Sequence, residues 1–128
     1  MKEAFAVKAA ILKDNKIFLL KRSSGDWFIS AYDLPGGRKD GNESDEEALK
    51  REVKEEIGCE IRIIKFLNIS EFEIPQKDVY LYCKNFLCEL VSNNINLSRE
   101  HESFIWIKKD DVHKSNIPNW IKKVIEEI

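Results

Sequence analysis

Leu49, Val53 and Ile57 recur at four-residue spacing between Ser44 and Gly58, and no other stretch of the chain restricts its fold so tightly. At 3.6 residues per turn these side chains line up as one apolar stripe. The segment is therefore expected to be a helix that buries the stripe against another layer. Ser44 or Asn42 can cap its start, and Gly58 is placed to end it. Glu52, Glu55 and Glu56 lie on the same helix at i, i+3 and i+4, which gathers three carboxylates on one face. Glu52 and Glu56 flank the Leu49/Val53 stripe, so they belong at the edge of the packed face rather than on the outward side.

The flanking segments read as strands. Residues 4–12 are apolar, Asp14-Asn15 is a turn signal, and residues 17–22 complete a hairpin. Residues 23–26 form a polar loop, residues 27–34 are aromatic-rich and extended, and Pro35-Gly36-Gly37 ends that stretch before a charged loop to Asn42. Beyond the helix, residues 60–69 read as a strand, and residues 78–90 as one long strand or two broken near Lys84-Asn85. Residues 104–107 form a short strand. Pro118 sits near the start of a final amphipathic helix, where its missing N–H does no harm. Trp120, Ile121, Val124, Ile125 and Ile128 supply its buried face. Strands on both sides of one helix, with a second helix at the end, predict an α+β fold in which helices sandwich a mixed sheet.

A chain of 128 residues suits one domain, here residues 1–128. With 21 Lys+Arg against 23 Asp+Glu it lacks the cationic surplus that binding of long nucleic acid requires, although a small phosphorylated ligand needs only a few local charges. No apolar run approaches a membrane span, and the N-terminus lacks the apolar stretch of a signal peptide. Three cysteines and no export signal favour free thiols and a cytoplasmic location. Two scattered histidines and no paired-cysteine motif offer no zinc site.

Three clustered carboxylates repel, by roughly a few tenths of a kcal/mol per exposed pair, and the repulsion needs a counterweight. Arg51 can reach Glu55 at i+4, and Glu47 at i−4, but one guanidinium does not neutralise the group. A divalent cation does. Magnesium takes hard oxygen ligands and commonly bridges carboxylates to substrate phosphates. The Gly36-Gly37 pair can bring bare backbone close to such an ion or to phosphate oxygens. A Glu-rich helix with a solvated face is the common structural alternative.

The whole string from Gly36 to Cys59, GGRKDGNESDEEALKREVKEEIGC, decides between the two. Five residues separate Gly37 from Glu43, and seven more lead to Arg51-Glu52, Val53, Glu55-Glu56 and Gly58. This resembles the Nudix box, at residues 37–59, of the Nudix hydrolases. The one departure is Cys59, where the family usually has an aliphatic residue. The resemblance implies the Nudix α/β/α sandwich around a mixed sheet. It also implies Mg²⁺- or Mn²⁺-dependent hydrolysis of a nucleoside diphosphate linked to another moiety, by water attack on phosphorus.

Carried onto this chain, the resemblance makes Glu52, Glu55 and Glu56 the metal ligands and the carbonyl of Gly36 or Gly37 an additional one. Glu43 and Arg51 become the ion pair that ties loop to helix. Glu55 and Glu100 are the candidate general bases. Arg22 stands where family members often place a basic residue against phosphate. Trp27, Phe28 and Tyr32 are aromatics that can stack on a base, or core residues. The run Tyr32-Asp33-Leu34-Pro35-Gly36-Gly37 resembles the approach to the box in members that cleave nucleoside triphosphates. Asn116 stands where some of those read the base, or it caps the last helix. The leading expectation is a nucleoside triphosphate or modified nucleotide cleaved to monophosphate and pyrophosphate. Alternatives are dinucleoside polyphosphates, ADP-ribose or sugar nucleotides, RNA 5′ ends, or a non-catalytic nucleotide-sensing domain. Specificity is expected from loops at residues 68–77 and 92–99, and the protein is expected to be a monomer or a homodimer.

Overall fold

A computed structural model describes residues 1–22, 32–99 and 101–128, with backbone alone at 22, 101 and 102. The strands are β1 (Lys2–Lys13), β2 (Lys16–Arg22), β3 (Tyr32–Asp33), β4 (Gly36–Arg38), β5 (Ile61–Ile74), β6 (Val79–Leu90) and β7 (His101–Lys108); the helices are α1 (Asp45–Ile57) and α2 (Asn119–Glu126). β1 runs parallel to β6 and antiparallel to β2 and β4, and β5 is antiparallel to β6. β2 pairs antiparallel with β3 and β7. The sheet is therefore mixed.

Alternation along the central strands builds two cores. Val7, Ala9 and Ile11 of β1, with Phe18 and Leu20 of β2, face α1 and meet Leu49, Val53 and Ile57. Ala10, Ile17 and Leu19 face the other way and meet Ile121, Val124 and Ile125 of α2. The helices thus cover opposite faces, which is the α/β/α sandwich expected. Ser44 closes a capping box at the start of α1: its side chain accepts from the Glu47 N–H, and the Glu47 side chain accepts from the Ser44 N–H. Gly58 ends the helix in the left-handed conformation. Residues beyond β6 serve the same end, since the Asn96 and Ser98 N–H groups donate to the carbonyls of Ile57 and Glu56 at 2.8 Å.

Several boundaries differ from expectation. Pro35-Gly36-Gly37 does not end the ordered segment, because Gly36–Arg38 pairs with β1 as β4. Of the two readings open for residues 78–90, the single strand holds, since β6 runs unbroken through Lys84-Asn85. The fully buried Asn85 amide donates to Asn68 Oδ1 at 3.0 Å and Ser70 Oγ at 2.9 Å, so a polar residue is satisfied inside an unbroken strand. Residues 68–77 are not a loop: they are the end of β5 and a 3₁₀ turn, Pro75–Lys77. Irregular register within β5 near Lys65 and Phe66 breaks simple alternation, which is why the sequence pattern faded before the strand did. Residues 92–99 carry no regular secondary structure, as expected.

Ser44→Ala removes one half of the capping box. It is expected to cost about 1 kcal/mol, read as a drop of a few degrees in thermal midpoint. An unchanged midpoint would show that the cap contributes nothing.

Candidate active site

The site forms where α1 passes β4. Glu56, although ionisable, is only 8% exposed, and its Oε1 accepts the Gly36 N–H at 2.5 Å. Glu52 is half-buried and lies against Gly37, where an added Cβ would sit 2.4 Å from Glu52 Oε2. Gly36 has φ +143°, and a Cβ there would sit 2.0 Å from the Val7 carbonyl oxygen. Only two residues without side chains allow β4 to fit between β1 and the carboxylates of α1. Glu55, one turn on from Glu52, is exposed.

Arg51 is the centre of charge on this face. Its guanidinium holds Glu43 through two bonds, at 2.7 and 2.9 Å, and the Arg38 carbonyl at 3.2 Å. It also reaches Glu52 at 3.0 Å, Glu55 at 3.3 Å and Asp40 at 3.4 Å. One guanidinium therefore does more than the spacing suggested, since it touches four carboxylates; the expected contact with Glu47 is replaced by that residue's place in the cap. The bonds from Arg51, and then the Asp40 N–H, hold Glu43 well below the usual carboxylate range, at about 2. Burial pushes Glu52 up against the opposing pull of Arg51. Burial pushes Glu56 further, to about 7, against the opposing charge of Lys8 and the Gly36 N–H.

Lys8 and Asp33 are the site neighbours that sequence reasoning missed. They form an ion pair at 3.1 Å beside the Gly-Gly corner, and both are largely buried. A signal was present: Lys8 is the one charged residue within the otherwise apolar residues 4–12.

Phe28, Trp27 and Glu100 lie outside the described residues, as does the side chain of Arg22, whose backbone ends β2 opposite His101. Tyr32 is half-buried and packs against the core under α2. Asn116 is exposed and does not cap α2, whose N-cap is Pro118 without a side-chain bond. A hollow of about 500 Å³ is lined by Arg51 with Lys50, Lys54, Glu60, Ile61 and Val91, beside rather than upon the three glutamates.

Among the described residues no three acidic, thiol or imidazole groups already converge as a metal cage. Arg51 Nη1 stands between Glu52 and Glu55. The donors nevertheless suit a hard cation. All are oxygens on one helix face, Glu52 and Glu56 lie against bare backbone, and burial raises the pKa of both, a penalty on their charge that a bound cation offsets. No helix among the described residues is long and apolar enough to cross a membrane.

The comparisons bear on this geometry. The NUDIX domain family profile matches residues 2–128. An 8-oxo-dGTP diphosphatase of Haemophilus influenzae is 29% identical over 99% of this chain and 93% of its own length. An ADP-ribose pyrophosphatase of Methanocaldococcus jannaschii is 40% identical over 75 residues, which cover 59% of this chain and 43% of that protein. The crystal structure of a MutT NUDIX hydrolase from Burkholderia pseudomallei superposes with a TM-score of 0.85 at 23% identity, covering 100% of this chain and 99% of that one. With the box carboxylates, the sandwich fold and a family match along nearly its whole length, the chain belongs to the NUDIX family of hydrolases.

Proposed function

We propose that this chain hydrolyses a nucleoside triphosphate, canonical or modified, to monophosphate and pyrophosphate with Mg²⁺ or Mn²⁺. The observation that carries the reading is the trio Glu52, Glu55 and Glu56 set against the Gly36-Gly37 backbone. A full-length relative named an 8-oxo-dGTP diphosphatase supports the triphosphate. The relative named an ADP-ribose pyrophosphatase favours a second reading, but its likeness covers under half of that protein. The near-neutral charge disfavours long RNA as substrate. All box carboxylates being present speaks against a non-catalytic sensing domain. Three buried free thiols fit a reducing cytoplasm.

In this reading Glu52, Glu55 and Glu56 hold the ion, with the carbonyl of Gly36 or Gly37. When bound, the ion offsets the diphosphate charge that would otherwise repel incoming water and stabilises the leaving oxygen. The protein's own groups do the rest. Glu55, exposed on the helix, or Glu100 accepts the water proton. Arg51 ties Glu43 and the loop at residues 38–43 to α1, fixing β4 beside the carboxylates. Arg22 meets phosphate, Phe28 stacks on the base, and Asn116 reads its edge.

The decisive experiment is a panel of nucleoside triphosphates, dinucleoside polyphosphates, ADP-ribose and sugar nucleotides, assayed with Mg²⁺ in ¹⁸O-labelled water. Monophosphate and pyrophosphate from a triphosphate are expected, with the label showing which phosphorus was attacked. Orthophosphate as the first product, or no turnover of any member, would overturn the reading. Glu55→Gln and Glu56→Gln are each expected to lower kcat/KM by at least about 100-fold while leaving the circular dichroism spectrum unchanged. Full activity in both would remove the helix from the chemistry.

The raised Glu56 pKa also predicts a pH dependence. Its folded value of about 7 exceeds the ordinary 4.5, so the folded protein holds an extra proton between those limits. Metal-free stability from this group is present below the unfolded value and is lost as pH rises through the folded one. Burial moves Glu52 the same way. Glu43 acts oppositely, but below this window. The thermal midpoint without divalent ions is expected to fall between pH ~5 and ~7.5. The slope should flatten in Glu56→Gln, and Mg²⁺ should stabilise most above pH ~7, where the carboxylate is ionised. An identical slope in the variant would reject Glu56 as its source.

A further inference from the structure

Lys8 grips one corner of the chain at several points. Its backbone stands opposite Gly36 in the β1–β4 ladder, and the next N–H, of Ala9, donates to the Pro35 carbonyl at 2.8 Å. Its side chain turns onto the same corner. Nζ donates to the Leu34 carbonyl and to Asp33 Oδ2, both at 3.1 Å. Asp33 Oδ1 in turn accepts the Leu34 N–H at 2.8 Å. Pro35 has no N–H to offer β1, so a backbone rung is missing there, and the Lys8 ammonium supplies a donor to the corner instead. The corner ends at Gly36, whose N–H carries Glu56, and at Gly37, whose bare Cα abuts Glu52. The Lys8 charge acts on both glutamates.

We propose that Lys8 is a positioning residue for the metal centre: by clamping residues 33–36 to β1, its ammonium aims the Gly-Gly backbone at Glu56 and Glu52. The inference rests on the reading that these glutamates hold the ion, and adds a residue from outside the box to the apparatus. Outer partners of this kind set the orientation of ligands, and removing one typically weakens metal binding about 10–100-fold. A buried ion pair can also be replaced by neutral groups with little loss of stability, so stability alone does not test the role.

The test is Mn²⁺ binding to substrate-free protein by titration calorimetry, with folding followed by circular dichroism and thermal midpoint. Lys8→Met/Asp33→Asn removes both charges at once. It leaves the net charge unchanged, so a change in affinity reports geometry rather than a lost repulsion between ammonium and metal. The Asn also keeps an oxygen for the Leu34 N–H. The folded double variant is expected to bind Mn²⁺ about 10–100-fold more weakly than the unaltered protein. Asp33→Asn alone, which keeps Lys8 on the Leu34 carbonyl, should fall between the two and serves if the double variant does not fold. Wild-type affinity in the folded double variant, or in Asp33→Asn where only that variant folds, would overturn the proposal. Glu56→Gln is the control for the underlying reading. If it too binds Mn²⁺ at wild-type affinity, the glutamates are not the metal site, and the role of Lys8 falls with them.

Discussion

The site depends on a close approach of backbone to carboxylate. β4 passes between β1 and α1 with no room for a Cβ at either of its first two residues: one would meet the Val7 carbonyl, the other the Glu52 carboxyl. Every other feature of the site follows from that fit. It buries Glu56, gives that carboxyl a backbone N–H, and leaves Glu52 with bare backbone rather than a side chain for a neighbour. Helix and sheet both contribute, since the stripe of Leu49, Val53 and Ile57 packs against Val7, Ala9 and Ile11 and so sets how near α1 can come to β1.

Electrostatics on this face divide between two cations with different duties. Arg51 works at the outer side, where it pins the loop through Glu43 and shares itself among Glu52, Glu55 and Asp40. Lys8 works from the inner side, where burial makes each charge count for more. The result is a graded set of carboxylates. Glu43 is held firmly ionised, while Glu52 and Glu56 are held up by burial. A face carrying only solvated charge would show no such gradient. Burial of an acid costs stability, and a divalent ion offsets that cost at the moment it binds.

Much of this was legible in the sequence because the relevant signals are local. The stripe, Ser44 and Gly58 fix α1 and its ends, and the spacing of Glu52, Glu55 and Glu56 fixes their common face. What was not legible depends on contacts between distant residues. The continuity of β6 through Asn85 rests on side chains from β5, and the extent of β5 is hidden by its irregular register. The many partners of Arg51 follow from where β4 brings residues 38–43, not from helical spacing. Tyr32 shows the limit from the other side: an aromatic before the Gly-Gly corner reads as core more readily than as a stacking residue, but the sequence leaves both open, and the structure packs it against the core.

Lys8 belongs between these cases. A lone charge in an apolar strand is visible at once, but its meaning is not, because a strand gives no information about what lies across the sheet. The β1–β4 ladder supplies it. Once Gly36 stands opposite Lys8, the side chain has a carbonyl and a carboxylate within reach, and the apolar surroundings favour keeping it bonded to them. Desolvating an ammonium is expensive enough that a strand would ordinarily carry an aliphatic residue there. That cost is balanced only if the corner it holds must not move. The corner in question is the one that presents backbone to Glu56 and Glu52, so the demand for rigidity at the carboxylates reaches into the choice of residue on a neighbouring strand.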